Sequence, residues 1–207
     1  MEKNIPDNKN GIPLEHYTQQ FASMEPAAMS ARSGFSFDAE KSAFKMKFLS
    51  REVLLYHPAM ELSYADSGEK IDNPATRILL ARAVMEGMGK DTTGAYLAYA
   101  EVPWGNVYLQ QFTGRCIMRL AFGFGFKLEL FEKACLAVGG VPGTGADKVF
   151  IIEFLNGLFV KLLMWGPDDE FPPSAQILFS DNFPAMYTAE DMAVVGDVLI
   201  NALKAVK

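Results

Sequence analysis

The sequence predicts an α+β protein in which a mainly antiparallel sheet is covered by helices in a single domain. Strand patterns and helix patterns come in blocks along the chain and do not alternate strictly, which favours this class. The segment 148–165 has the pattern of a tight hairpin. Since the length of 207 residues fits one domain, we expect a polar tail over residues 1–13 and one α+β domain over residues 14–207.

The first sixty residues indicate helix followed by a hairpin. Residues 14–31 have helical composition, with an interruption at Pro26. Phe44–Phe48 alternates large apolar residues with lysines, which is the period-two pattern of a half-buried strand. A turn at Ser50-Arg51 then leads into a second strand over Val53–Tyr56.

The middle of the chain predicts further helices and one strand. Asp72-Asn73-Pro74 is a helix start, because a short polar side chain accepts from free amides and proline loses no useful donor. Residues 95–102 are apolar except for Glu101 and indicate a buried strand. Helices are expected over about 106–121 and over 127–138, where Gly139-Gly140 ends the second one.

The last third carries the strongest local signals. Asn156-Gly157 lies between two apolar runs and predicts a tight turn, since both residues tolerate positive φ. Gln176–Phe179 is expected to add a third strand. Thr188 with Asp191 three residues later predicts a capped C-terminal helix.

Charge and cysteine content argue against several classes of protein. The net charge of −6 disfavours a nucleic-acid binder, which needs a basic surface to displace counterions from phosphates. No uncharged apolar run reaches the ~18 residues of a membrane helix. The N-terminus lacks the apolar stretch of a secretory signal. Cys116 and Cys135 are too few for a disulfide framework, so we expect buried thiols in a cytoplasmic protein.

The C-terminal third resembles a known family. The strings Leu162–Asp181 (LLMWGPDDEFPPSAQILFSD) and Tyr187–Asp191 (YTAED) resemble an uncharacterised bacterial family, domain of unknown function 3786. The resemblance covers roughly residues 70–205. This sequence departs from the family pattern at Ser180-Asp181, where relatives usually place an aspartate directly after the phenylalanine.

The resemblance implies a metabolic context and no chemistry. Some relatives carry an N-terminal four-cysteine iron–sulfur module of the kind found in corrinoid methyl-transfer proteins of anaerobes. This chain has two cysteines and lacks that module. A role in iron–sulfur or corrinoid metabolism is therefore expected to pass through a partner.

An acidic segment between two predicted strands is the first candidate site. Asp168, Asp169 and Glu170 lie between Trp165 and Phe171. Neighbouring carboxylates can bind a cation or a ligand. In the second interpretation the acids cap a turn while both rings pack against the protein.

Two further candidates lie near the predicted helix 106–121. Arg115 and Arg119 are four residues apart and so share a helical face, which can bind an anionic ligand. Alternatively they are solvated or pair with Glu101 or Glu132. Trp104 lies at a strand-to-helix junction, where it either lines a pocket or plugs the end of the core.

The glycine-rich stretch 139–147 does not form a phosphate-binding loop. The Lys-Ser/Thr pair that such a loop requires is replaced by Ala146-Asp147, and the stretch leads into a strand. We interpret its glycines as a helix end and a turn. His16 and His57 supply no metal triad, and no G-x-S-x-G elbow is present.

Three hypotheses for function remain at this stage. In the first, the protein is a cytoplasmic ligand-binding or accessory module for a small-molecule or protein partner. Trp104, Trp165, Phe171 and the acids 168–170 would then line or rim a cleft. In the second, the acids 168–170 and Asp181 support a metal-assisted hydrolase or transferase. In the third, the chain is a structural partner subunit, recognisable by an exposed apolar patch of several hundred Å². A homodimer is left open, no cofactor is indicated, and enzymatic activity is undecided.

Overall fold

The computed structural model describes residues 11–87 and 89–206. The chain forms two compact units, with a boundary between Gly89 and Lys90 and with residues 48–50 assigned to the second unit. Both units combine antiparallel strands with helices, which confirms the predicted α+β class. The division into a tail, 1–13, and one domain, 14–207, stays a prediction. Residues 1–10 lie outside the described residues, and the first helix already begins at Gly11.

The first unit is built from helices that flank a set of neighbouring antiparallel strands. Its described elements are α1 (Gly11–Ala22), α2 (Pro26–Ser33), β1 (Ser36–Asp38), β2 (Ala43–Phe48), β3 (Arg51–Tyr56), β4 (Glu61–Tyr64) and α3 (Pro74–Glu86). The strand order is β4-β3-β2, with β1 also paired to β2.

The predicted hairpin of the first unit is confirmed, with a small shift of its turn. The turn lies at Leu49-Ser50, one residue earlier than expected, and both residues have positive φ. The strand β4 was not predicted. It pairs antiparallel with β3, with Leu62 opposite Leu55.

The core of the first unit is rich in aromatic and aliphatic side chains. Phe21 of α1 contacts Phe44 of β2 edge to face, with ring centroids 6.0 Å apart. Asn73 caps α3 as predicted and accepts from the amide of Thr76 at 2.9 Å. The helix α3 is buried on most of its sides, including Leu80.

The second unit places helices on one face of an antiparallel sheet. Its described elements are β5 (Tyr96–Ala98), α4 (Gly105–Phe112), α5 (Met118–Phe124), α6 (Leu128–Ala137), β6 (Val141–Pro142), β7 (Lys148–Leu155), β8 (Leu158–Trp165), β9 (Ser174–Ser180) and α7 (Ala189–Ala205). The strand order is β7-β8-β9-β5, with β6 paired to the outer side of β7. Beyond β5, residues 99–101 form a 3₁₀ turn, so the predicted strand 95–102 is shorter than expected.

The hairpin β7–β8 and the strand β9 confirm the strongest sequence signals. The turn is Asn156-Gly157, and Gly157 has a φ of 73°. Along the sheet, Leu162 lies opposite both Phe150 and Ile177. These side chains point toward the helices and are buried. Trp165 has the opposite parity in β8 and therefore lies on the other face of the sheet.

The predicted helix 106–121 is longer than expected and contains a π turn. The segments α4, a π turn at Thr113–Ile117 and α5 follow one another without a break, and we call residues 105–124 the rod. The rod packs along α7, where the Cys116 thiol donates to the carbonyl of Ala193 at 3.4 Å. Tyr99, which precedes the rod, stacks on Phe112 at the end of α4 with ring centroids 3.9 Å apart.

Candidate functional site

The acidic loop, residues 166–173, connects β8 to β9 and is held by its own aspartate. The carboxylate of Asp168 accepts from the amides of Glu170 at 2.9 Å and Phe171 at 2.7 Å. These two backbone hydrogen bonds lower the pKa of Asp168 below its usual value. This geometry matches the expectation that the acids cap a turn.

The aromatic residues that flank these acids differ in exposure. Trp165 is half-buried at the end of β8, opposite Ser174. Phe171 is 65% exposed. The expectation that both rings pack against the protein is therefore wrong for Phe171. Asp169 and Glu170 are also exposed.

Asp181, which the enzyme hypothesis groups with the acidic loop, is engaged elsewhere. Its carboxylate accepts from the hydroxyl of Thr92 at 2.6 Å and from that of Thr93 at 2.7 Å. These hydrogen bonds lower the pKa of Asp181. Within residues 11–87 and 89–206, no three or more His, Cys, Asp or Glu side chains are grouped to hold a metal ion.

Arg115 and Arg119 bind a carboxylate that the sequence analysis did not identify. Both guanidinium groups pair with Asp197 of α7, and Arg119 also donates to the side-chain oxygen of Asn201 at 2.7 Å. The proposed pairing with Glu101 or Glu132 is wrong. Glu101 accepts from the amide of Ala98, and Glu132 pairs with Lys148. The arginines therefore clamp the rod to α7.

Trp104 precedes the rod and is 78% exposed. It does not plug the end of the core, as one of its two interpretations required. Its φ of 64° lies in the left-handed region that non-glycine residues rarely adopt. The next residue has to be glycine, because a Cβ on Gly105 would collide with the carbonyl oxygen of Tyr99.

The outer side of the rod is unexpectedly apolar. Its inner side is buried and carries Phe112, Cys116 and Leu120. On the opposite side, Val107, Met118 and Phe122 are exposed by 45–64%. Trp104 just before the rod and Phe126 just after it are also exposed. Tyr108 lies four residues before Phe112, so it borders the inner side, and it is 38% exposed. We call this surface the aromatic face; it consists of Trp104, Val107, Tyr108, Met118, Phe122 and Phe126.

The acidic loop adjoins the aromatic face. A Cβ on Gly125 would collide with the side chain of Pro173, and one on Gly166 would lie 3.4 Å from the side chain of Leu128. The loop therefore packs against the end of α5 and the start of α6. Phe126 and Phe171 lie next to these contacts and are exposed by 62% and 65%. Phe171 extends the aromatic face.

Four members of this surface were missed by sequence reasoning: Val107, Met118, Phe122 and Phe126. A signal for them exists in the sequence. A helix that buries one side needs one apolar stripe, and this segment carries apolar residues on two sides. The predicted helix also stopped at residue 121, before two of the four residues.

A small cavity lies in the first unit. Its volume is about 200 Å³. None of the predicted site residues lines it; its walls are formed by Tyr56, Glu61, Leu62, Ser63, Gly68 and Lys70.

Cys116, Cys135 and Tyr99 of the second unit are buried. Burial raises the pKa of the Cys116 thiol to about 12 and also raises that of Cys135. Burial likewise raises the pKa of Tyr99 to about 12, and its hydroxyl donates to the carbonyl of Ala189 at 2.7 Å. These groups are protonated near neutral pH and support packing.

Fold and surface together define an α+β protein with a helix-covered antiparallel sheet and an exposed aromatic surface. The chain belongs to the family described as Domain of unknown function (DUF3786), which matches residues 25–202. The predicted family is thereby confirmed, and the match begins at residue 25 and not near residue 70. No curated protein and no solved structure is significantly similar to the chain. Within the described residues, no helix is long and apolar enough to cross a membrane.

Proposed function

We propose that this protein is an accessory module that binds another polypeptide through the aromatic face and has no catalytic role of its own. The observation that carries the proposal is the exposure of Val107, Met118 and Phe122 on the outer side of the rod. The exposed side chains of Trp104 before the rod, Tyr108 at its border, and Phe126 and Phe171 beyond its end continue this surface. Exposed apolar surface of this extent is costly in water unless a partner covers it.

The engagement of the chemically active groups supports the same proposal. Asp168 and Asp181 accept hydrogen bonds from nearby backbone and hydroxyl groups, and Arg115 and Arg119 pair with Asp197. These contacts stabilise local structure. The cysteine thiols are buried and protonated.

The proposal extends to the metabolic context that the family resemblance implies. Besides the polypeptide on the aromatic face, a protein from the iron–sulfur or corrinoid metabolism of anaerobes would supply the metal ligands that are not grouped within residues 11–87 and 89–206. The chain's own cysteines, Cys116 and Cys135, are buried in the helical layer and would have to leave it to ligate a cluster.

Site-specific photo-crosslinking tests the proposal. A photoreactive phenylalanine analogue is placed at Phe122 on the aromatic face, and at Leu136 on α6 as the control. Leu136 is also apolar and 50% exposed, but lies outside the face. We expect crosslinked protein from position 122 and none from position 136. Absence of crosslinks at position 122 and at Trp104 would contradict the proposal.

A further inference from the structure

We infer that the partner of the aromatic face is a second copy of this chain, bound about a two-fold axis that crosses the rod. This inference rests on the proposed function and names the occupant of the same surface. Area, charge distribution and symmetry carry the argument.

The exposed area is the size that a stable dimer needs. Large apolar side chains such as these offer about 150–250 Å² each, so the fractions found here leave on the order of 600–1000 Å² exposed over the aromatic face and Phe171. A standard specific interface buries about 800 Å² on each partner.

Charges along the rod are separated in a way that suits self-association. Three cations, Arg115, Arg119 and Lys204, follow the seam between the rod and α7. Two carboxylates of α7 oppose them: Asp197, which pairs with both arginines, and Glu190, which lies two turns earlier. The side chain of Lys204 reaches the rod at Gly123. This seam therefore carries an excess of positive charge.

The opposite charge lies at the end of the same face. The acidic loop carries Asp168, Asp169 and Glu170 beside the exposed ring of Phe171, and it packs against the end of α5 at Gly125. The two arginines, in contrast, lie near the middle of the rod. One surface thus presents a basic region and an acidic region at different heights along one helix.

A two-fold axis between the basic and the acidic region would give each region an oppositely charged region of the other copy as its partner. In an isologous interface, every contact occurs twice: if a first residue of one copy contacts a second residue of the other copy, the second residue of the first copy contacts the first residue of the other. Rods that pack antiparallel would place the basic seam of each copy against the acidic loop of the other. A single heterologous partner would need both charge patterns and an apolar stripe of its own.

Sedimentation equilibrium of the purified chain tests the inference. The monomer mass is 22.8 kDa, and we expect the wild type to sediment with twice that mass at about 50 μM protein. Phe122→Asp buries a charge in the proposed interface and should weaken association by about 30-fold or more. Leu136→Asp and Val141→Asp are matched controls at exposed apolar positions outside the face, and they should dimerise like the wild type.

Charge reversal tests the two-fold arrangement separately. The double variant Asp169→Lys/Glu170→Lys leaves the turn-forming Asp168 intact and should weaken the dimer about tenfold, because lysines then face the basic seam. Unchanged association of this variant would overturn the two-fold arrangement.

The remaining outcomes separate this inference from the proposed function. A monomeric wild type would overturn the inference, as would a dimer that Phe122→Asp and Leu136→Asp affect equally. If the wild type is monomeric but position 122 crosslinks to a different protein, the proposed function stands and the second copy is excluded. If the wild type is monomeric and no crosslink forms, both the inference and the proposed function are contradicted.

Discussion

The two sides of the rod are similar in composition and opposite in environment. The inner side carries Phe112, Cys116 and Leu120, which are fully buried against the sheet and α7. The outer side carries Met118 and Phe122, which are about half exposed. Hydrophobicity alone therefore does not separate core from surface in this segment. The inner side contributes to the core of the fold, whereas the outer side is available to the proposed partner.

The largest expected effect comes from shortening one phenylalanine on each side. Phe112→Ala removes a buried ring stacked on Tyr99 and should lower the free energy of unfolding by about 3–5 kcal/mol. Phe122→Ala should change it by less than about 0.5 kcal/mol, because the ring is half exposed in the single chain. Urea unfolding at low protein concentration measures both. Similar losses in the two variants would show that the outer side also belongs to the core.

The variant Trp104→Gly tests whether Trp104 contributes to association without contributing to the stability of the fold. Trp104 has a left-handed backbone that costs a non-glycine residue about 1 kcal/mol, and its ring is mostly in water. Trp104→Gly should therefore leave the melting temperature unchanged or raise it, while association through the aromatic face weakens. Thermal melting and sedimentation report the two effects. A clear loss of stability would mean that the indole ring supports the fold.

Variants of the acidic loop, melted with and without metal ions, show whether the loop is a structural turn or a metal site. Asp168→Ala removes the acceptor for two backbone amides and should lower the melting temperature slightly, whereas Asp169→Ala should not. We expect Mg²⁺, Mn²⁺ and Zn²⁺ to shift the melting of wild type and Asp168→Ala alike. Metal stabilisation that disappears in Asp168→Ala would instead favour the metal-assisted hydrolase or transferase.

The smallest effect concerns the titration of the same aspartate. Its pKa is lowered by the amides of Glu170 and Phe171, so the folded loop favours the ionised carboxylate. The resulting stabilisation is present above the ordinary aspartate pKa of 3.8 and is lost as pH falls below it. Carboxyl carbon NMR should show Asp168 titrating below the ordinary aspartate pKa of 3.8. A titration midpoint at or above that value would contradict the turn geometry.

Local signals in the sequence predicted most of the secondary structure. Asn156-Gly157, the capping pair Thr188 and Asp191, and Asn73 before proline each fix a turn or helix end through a few neighbouring atoms. Such features depend little on distant contacts. The strand β4 was missed because Glu61–Tyr64 is short and lacks a clear alternation.

The surface could not be predicted to the same degree. The clamp between Arg119 and Asp197 joins residues 78 positions apart, and no local pattern selects that partner over Glu101 or Glu132. The exposure of Phe122 depends on which side of the rod meets the sheet. The π turn at Thr113–Ile117 also shifts the register of α5 relative to α4.

The close contact between the rod and α7 means that the reactivity of a buried thiol reports when these two helices separate. A Cβ on Gly196 would lie only 2.8 Å from the sulfur of Cys116, so the two helices seal this thiol from small reagents. Alkylation at Cys116 therefore has to wait until the helices separate. The rate at which iodoacetamide labels Cys116 would measure how often the rod separates from α7. It can be measured in the free chain and in any complex that holds the rod in place.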